Sequence, residues 1–336
     1  MQPTPFDLCC ASARVAGAVL KADWTHLDME RGVRTKPSHH TKQKKIEHIP
    51  LNPESLEVLR SMGPKTSGPL FPGKNGSRVS LRRLGWKKSR PSLLYFVTLI
   101  RRILEALSRG VVLKRRLPRE FAGAPLFVSP NSALGYWRRD ISKVDPFLLS
   151  MVRELVRPAM SVWDIGANVG LFSFAAASLG AHVVAVEADL WLANLMHRSA
   201  LLNNLPVTVL PAAVNNSQGV SKLYLSDHGK ASNSLSGSGL AQTVVTVTLD
   251  WMLDYFPAPQ VLKIDVEGLE YAVLTGARRV LQSRPVIFCE VTEQHDLVGE
   301  LLRSAEYEFF AARTSERQSL HHPSRDTLAV PKALRT

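Results

Sequence analysis

The chain has 336 residues, 45% of them apolar, and a formal net charge of +13. That length exceeds a usual single domain and the composition is ordinary for a soluble protein, so the expectation is one large domain with an appendage, or two domains. The cysteines, the adjacent Cys9 and Cys10 and the distant Cys289, offer neither a disulfide framework nor metal-ligand spacing, which points to a reducing cytoplasm.

The charge is divided along the chain. Residues 1–120 hold 24 Lys and Arg against 9 Asp and Glu, whereas residues 121–336 hold 18 against 20. Any polyanion partner therefore belongs to the first part alone. The N-terminus carries Asp7 and no basic stretch before an apolar core, so no signal peptide is readable. Residues 6–20 read as a short helix, Trp24 to Val33 and Lys45 to Leu51 as strands, and Pro53 to Met62 as a helix begun by its proline. Pro64, Gly68, Pro69, Pro72, Gly73 and Gly76 then break any regular element and mark a first boundary.

The stretch SARVAGAVLKADWTHLDMERGVRTKPSHHTKQKKIEHIPLNPESLEVLRSM, followed by GPLFPGKNG, resembles a piece from the middle of the catalytic domain of phage-type tyrosine recombinases (integrases). The resemblance implies that Arg14 matches the first catalytic arginine of that family and Lys42 its hairpin lysine. It ends near Gly76, and nothing after it supplies the His-x-x-Arg, the later His or Trp, or the nucleophilic tyrosine. Arg14 is also followed by Ala-Gly-Ala where Gly-Glu is usual. Strand exchange needs the tyrosine nucleophile, so none is expected from residues 1–76. The basic run Arg34, Lys36, Lys42, Lys44 and Lys45, with His39 and His40, reads as a solvated face; nonspecific phosphate contact is the alternative.

Residues 77–126 form a basic join around the apolar run Leu93 to Ile100. Arg101 and Arg102 end that run well short of the ~20 residues a spanning helix needs. It reads as a helix packing on the main domain, with contact to a membrane surface through its basic ends as the alternative. Residues 127–336 make the third segment. In it Asp145-Pro146 starts a helix with Phe147, Leu148, Met151 and Leu155 on one face.

The organising stretch follows: VWDIGANVGLFSF, residues 162–174. An apolar entry, then Asp164, then Gly166 and Gly170, then apolar and small residues, reads strand, tight turn, helix. Glycines there allow a positive φ and a close approach of ligand to main chain. A dinucleotide fingerprint would need a third glycine, and Asn168 stands where its middle one would be. The next strand, Ala181 to Val186, ends in Glu187, placed to accept hydrogen bonds from ribose hydroxyls. A ribose without a pyrophosphate, beside Asp164 to favour a cationic group and without the Lys or Arg that phosphates demand, suggests S-adenosylmethionine. The alternative is a helix-start turn with no ligand.

Helices are expected at Leu192 to Leu202, Tyr271 to Leu281 and Leu297 to Ala305. Strands are expected at Val207 to Leu210, Leu223 to Leu225, Val244 to Leu249, Val261 to Val266, Val286 to Val291, Glu308 to Ala312 and Thr327 to Val330, with a Ser/Gly/Asn-rich loop at residues 227–239. Alternating strands and helices imply a parallel, doubly wound α/β sheet, and the last two strands, with no helix between them, add one antiparallel strand at the end. Asp164, Glu187 and Asp265 all fall at strand carboxyl ends, where such sheets bind ligands.

In VLKIDVEGLEYAVLTGA, Lys263 and Asp265 share a strand face by the period of two, and Glu267 lies in the following turn near Glu270. Grouped carboxylates raise one another's pKa, which suits a general base; a salt-bridged helix start is the alternative. His295 and Glu290 are weaker candidates.

Taken together, WDIGANVGLFSF, VVAVEAD, AAVNNSQG, TLDWML, LKIDVEGLEYAVLTGA and RPVIFCEV resemble, in order and spacing, the FkbM family of S-adenosylmethionine-dependent methyltransferases over residues 127–330. The resemblance implies a seven-stranded class I (Rossmann-like) methyltransferase sheet beside a small α+β N-terminal fragment. It implies cofactor contacts at Asp164, Gly166, Asn168, Gly170 and Glu187, and methyl transfer to a hydroxyl of a small molecule or glycan. Asp265 and Glu267 would sit near the methyl group, with Lys263 beside them and no metal. Ala188 stands where the family often has proline, and Ser232-Asn233-Ser234 where paired serines are common. The reading from another class is a DNA-associated recombinase remnant carrying an inactive cofactor-binding domain.

Overall fold

The computed structural model describes residues 23–31, 33–36, 47–50, 65–69, 108, 110–224, 235, 240–314 and 318–335. Arg14, Lys42, His39, His40, the helices expected at 6–20 and 53–62, the apolar run 93–100 and nearly all of the 227–239 loop lie outside them. The chain divides into two compact units, residues 1–112 with 129–139, and residues 113–128 with 140–336. The boundaries expected from the sequence are at residues 76 and 126.

In the first unit, a 3-10 turn over Trp24–His26 leads into a three-stranded antiparallel sheet of β1 (Leu27–Asp28), β2 (Val33–Lys36) and β3 (Glu47–Pro50). The Asp23 carboxylate accepts the Thr25 amide at 3.2 Å and the Gly68 amide at 3.1 Å, tying two distant stretches together.

The second unit opens with a hairpin of β4 (Leu113–Arg116) and β5 (Pro125–Val128). Next comes α1 (Pro146–Leu155), begun as expected by its proline and capped by Asp145, which accepts the Leu148 amide at 2.8 Å. Its buried residues are Leu149, Met151 and Val152, so the packed face is rotated from the expected one, and Phe147 and Leu148 are only half-buried.

Strand β6 (Ser161–Ile165) feeds α2 (Leu171–Ser178), whose first seven residues are all buried, six of them apolar and the remaining one, Ser173, hydrogen-bonded to Asp164. There follow β7 (His182–Val186), α3 (Leu190–Asn203), β8 (Val207–Leu210), β9 (Ala213–Val214), β10 (Gly219–Tyr224), β11 (Ala241–Val247) and the short α4 (Leu249–Met252). The chain continues through β12 (Val261–Ile264), α5 (Glu270–Thr275), α6 (Arg278–Gln282), β13 (Val286–Glu290), α7 (His295–Ser304), β14 (Tyr307–Ala311), β15 (Ser319–Leu320) and β16 (Asp326–Pro331).

The main sheet runs β15-β14-β16-β13-β12-β6-β7-β8. Strands β13, β12, β6, β7 and β8 are parallel neighbours, and β16 inserts antiparallel between β13 and β14. This is the mixed doubly wound α/β sheet expected, with its late antiparallel strand. It has eight strands rather than seven because the two-residue β15 pairs with Phe309 and Phe310 at the edge. The stretches around Leu223 and Val244 do not join it; β10 and β11 form an antiparallel hairpin that pairs with β9 in a separate sheet. The helix expected over 271–281 is two helices, divided at Gly276, where a Cβ would stand 2.8 Å from the Asn215 carbonyl oxygen.

One face of the main sheet buries Trp163, Ile165, Val184, Val186, Leu262, Ile264, Ile287 and Cys289 against α4 to α7. On the opposite face Asp164 meets α2 through Ser173. The β4–β5 hairpin rests on α3, where the Phe127 amide donates to Ser199 Oγ at 2.9 Å and Asn203 Nδ2 to the Pro125 carbonyl at 2.6 Å. Residues 113–128 thus belong to the unit that holds the organising turn. Among the described residues, no helix is long and apolar enough to cross a membrane.

Candidate functional site

The turn after β6 folds back on β7. The Gly166 and Ala167 amides both donate to the Val186 carbonyl at 3.0 Å. Gly166, Asn168 and Gly170 all take positive φ, of 75°, 57° and 82°. The glycines here serve packing more than ligand approach. A Cβ on Gly166 would stand 1.8 Å from the Asp265 carbonyl oxygen, and one on Gly170 would stand 2.8 Å from the Phe174 ring. Strand β12 therefore closes onto the turn only because residue 166 has no side chain.

Glu187 follows β7 and its carboxylate is held from two sides. Oε2 accepts the Asn168 amide at 2.7 Å and Oε1 the Asp189 amide at 2.8 Å. Each oxygen keeps a second lone pair. Burial pushes the Glu187 carboxyl up to about 7, against the two amides that favour its charged form. Asn168 Oδ1 is buried without a hydrogen-bond partner, an acceptor that a bound ligand could satisfy.

A cavity of about 250 Å³ opens above these residues. Gly166, Asn168 and Glu187 line one side of it, Asp265, Glu267 and Glu290 another, and Ala212, Ala213, Val214, Leu223 and Leu235 give it an apolar wall. Glu187 and Asp265, at two strand ends, thus face one hollow.

Asp164 and Lys263 lie beneath it. Register pairs Lys263 with Asp164 across β12 and β6, so their side chains emerge on one face of the sheet. Lys263 Nζ stands 3.0 Å from Asp164 Oδ1 and 3.4 Å from Asp265 Oδ2, and donates to the Gly166 carbonyl at 3.4 Å. Asp164 Oδ2 accepts from Ser173 Oγ at 2.6 Å. Burial alone would lower the lysine pKa, but Asp164 and Asp265 outweigh it and the net direction is upward. Asp164 has no exposed surface and is not part of the cavity lining; its two oxygens each accept one bond, from Lys263 and from Ser173. Gly170 and Lys263 likewise stand outside the lining.

At the mouth, Glu267 occupies a left-handed conformation with φ 39°. Partial burial of its carboxyl, then the like charges of Asp265 and Glu290, raise it to about 7, with Arg325 opposing. Arg325 donates to Glu290 Oε1 through Nε at 2.8 Å, and its Nη2 lies 2.6 Å from the same oxygen. Glu290, a minor candidate in the sequence, is therefore a wall of the cavity, raised by burial and by Asp265. His295 is not; its Nδ1 lies 3.0 Å from the Pro323 carbonyl oxygen. The apolar wall at Ala212–Val214 and Leu223 carries no chemical signal in the sequence, because small apolar residues after a strand are common; the place of Ala212–Val214 in the AAVNNSQG motif is the only hint, and Leu223 lies outside it.

The model of the methyltransferase FkbM domain matches residues 164–313, the stretch that contains the turn, both strand-end carboxylates and the cavity wall. No curated protein matches the chain. Solved structures similar to it include the precorrin-6y C5,15-methyltransferase of Geobacter metallireducens, 16% identical over 56% of this chain and 85% of that one, with a TM-score of 0.34. A SAM-dependent methyltransferase of Agrobacterium tumefaciens is 13% identical over 66% and 71%, with a TM-score of 0.35. A 16S rRNA methyltransferase of T. thermophilus in complex with AdoMet and guanosine is 14% identical over 66% of this chain, which spans half the length of that one, with a TM-score of 0.37. The recombinase resemblance of residues 1–76 has no counterpart in these matches and rests on sequence alone. Over residues 164–313 the chain is similar to the methyltransferase FkbM domain, whose cofactor is S-adenosylmethionine.

Proposed function

We propose that this domain transfers a methyl group from S-adenosylmethionine to a hydroxyl oxygen of a glycan, a lipid-linked sugar or a secondary metabolite. The observation that carries the reading is the shared cavity, with a carboxylate suited to ribose at one end and a group of carboxylates suited to a hydroxyl at the other. The cofactor supplies a methyl group already activated on a sulfonium, so the protein has to align the reactants and accept a proton. Alignment of this kind can contribute ~7–11 kcal/mol.

In this reading Glu187 accepts the ribose hydroxyls, Asn168 offers its unpartnered Oδ1, and the turn at Gly166 and Gly170 sets the floor. The apolar wall at Ala212, Ala213 and Leu223 takes the base. The carboxylates around the hollow favour the cationic sulfonium and ammonium groups over any phosphate. Asp164 acts through Lys263, which orients Asp265. Asp265 in turn faces the cationic end of the cofactor, and the acceptor hydroxyl donates its one hydrogen bond to Glu267, which leaves an oxygen lone pair free to attack the methyl carbon as the sulfonium departs. Glu267, raised to about 7, is poised to take the proton at neutral pH.

Isothermal titration with S-adenosylmethionine tests the cofactor half, and a wild-type protein that gives no heat sinks it. Incubation with S-adenosylmethionine and carbohydrate- or lipid-enriched cell extracts, followed by mass spectrometry, tests the acceptor half. New methyl ethers support the assignment, and methylation found only on nitrogen or carbon refutes it.

A further inference from the structure

Glu270 is the first residue of α5 and is fully buried, yet only one of its carboxylate oxygens is used. Oε1 accepts the Gly268 amide at 2.9 Å and the Thr292 hydroxyl at 3.0 Å. Oε2 is buried with no hydrogen-bond partner. A buried carboxylate left half satisfied costs stability that an apolar residue would not, so its presence calls for a role.

The two bonds it makes fall at telling places. Gly268 follows Glu267, and the two are consecutive left-handed residues, with φ of 85° and 39°. For Glu267 that conformation is strained. Thr292 lies just beyond β13, whose last residue is Glu290. One side chain therefore joins the two connections that bring Glu267 and Glu290 to the cavity.

We propose that Glu270 is a positioning residue for methyl transfer, clamping the strained turn so that the Glu267 carboxylate stands at the cavity mouth. The assignment rests on the reading of Glu267 as the proton acceptor. The charges that act on Glu267 are Asp265 on its own turn, Glu290 at the end of β13, Arg325 before β16 and Glu270, and the Glu293 carboxylate packs beside Gly268. Released from the clamp, the turn relaxes away from Asp265 and Glu290, and Glu267 returns to the ordinary carboxylate range.

The test uses the whole 336-residue chain, and its exchange and titration measurements need neither cofactor nor acceptor. Amide hydrogen exchange at Gly268 and the titration of Glu267, followed by carbon NMR of glutamate-labelled protein and assigned with E267Q, are compared in wild type, E270A and E270Q. In E270A the Gly268 amide is expected to exchange about fivefold faster, the fold-change for one lost hydrogen bond of average strength, and the Glu267 midpoint falls. In E270Q, whose Oε1 can still accept both bonds, Gly268 keeps its protection and the Glu267 midpoint falls only by the lost Glu270 charge, so the further fall in E270A measures the release of the turn; equal falls in the two variants overturn the inference. Unchanged Gly268 exchange in E270A overturns the inference, as does an unmoved Glu267 midpoint. If E270A does not fold, Thr292→Val takes its place: faster Gly268 exchange supports the clamp and unchanged exchange refutes it. A wild type in which Glu267 titrates as an ordinary carboxyl, or E267Q that transfers methyl at the wild-type rate, refutes the proton-accepting role and leaves the clamp to be decided by Gly268 exchange.

Discussion

Lys263 Nζ and Asp164 Oδ1 stand 3.0 Å apart with almost no solvent contact on either side chain, so the ion pair is an internal strut under the cavity. Removing one member of a buried pair leaves the other charge stranded, at ~3–5 kcal/mol. Asp164→Ala is therefore expected to lower the thermal midpoint by roughly 6–20 °C. A variant that melts like wild type and only binds cofactor less tightly would restore Asp164 to direct ligand contact.

Glu187 is the second lever. Ribose hydroxyls donating to its carboxylate favour the charged form, so binding near neutral pH should release protons. Cofactor affinity should then rise with pH through about 7, and the titration heat should change with the ionisation enthalpy of the buffer. The fold responds in the opposite sense. A carboxyl raised from 4.5 to about 7 on folding stabilises the unliganded protein fully below about 4.5, and that stability is lost as pH rises to about 7. Glu187→Gln should remove both effects and weaken binding ~10-fold or more. Pair measurements at pH 6 and 8 decide it.

The strand-turn-helix at 162–174 and the carboxylate closing β7 were legible because local pattern fixes both: glycines where φ must be positive, an acid where an apolar run stops. Lys263 and Asp265 on one face also followed from the period of two, and they stand 3.4 Å apart. What stayed hidden depends on pairing. Lys263 meets Asp164 only because β12 lies beside β6 in that register, and no local signal states which parallel strand is the neighbour. For the same reason the sequence left open which sheet the strands around Leu223 and Val244 join, since a strand's own residues do not name its partner. Glu270 read as a helix-start acid, a general tendency; its bond to Thr292 spans 22 residues and needed the fold.

Gly166→Ala tests the closure of β12 on the turn. Its Cβ would fall 1.8 Å from the Asp265 carbonyl oxygen, so backbone must move, at a positive φ that already disfavours alanine. A loss of ~3 kcal/mol or more in stability is expected, combining strain and overpacking. Cofactor heat should vanish even where the variant stays folded. Normal binding would show that β12 can shift without cost to the site.

Glu267→Gln isolates the proton acceptor from the binding site. Glu267 is one of several carboxylates around the hollow and does not touch the ribose in this reading, so cofactor affinity should fall less than in Glu187→Gln. The transfer rate to a hydroxyl acceptor should fall ~10²–10⁴-fold. Wild-type rate should climb between pH 6 and 8 as Glu267 loses its proton, following its midpoint of about 7. The variant should lack that climb, and any residual slope should come from Glu290, whose carboxyl is also raised by burial and by Asp265. If the variant keeps both the rate and the pH dependence of wild type, the proton leaves by way of Asp265, and Glu267 does no more than crowd the entrance.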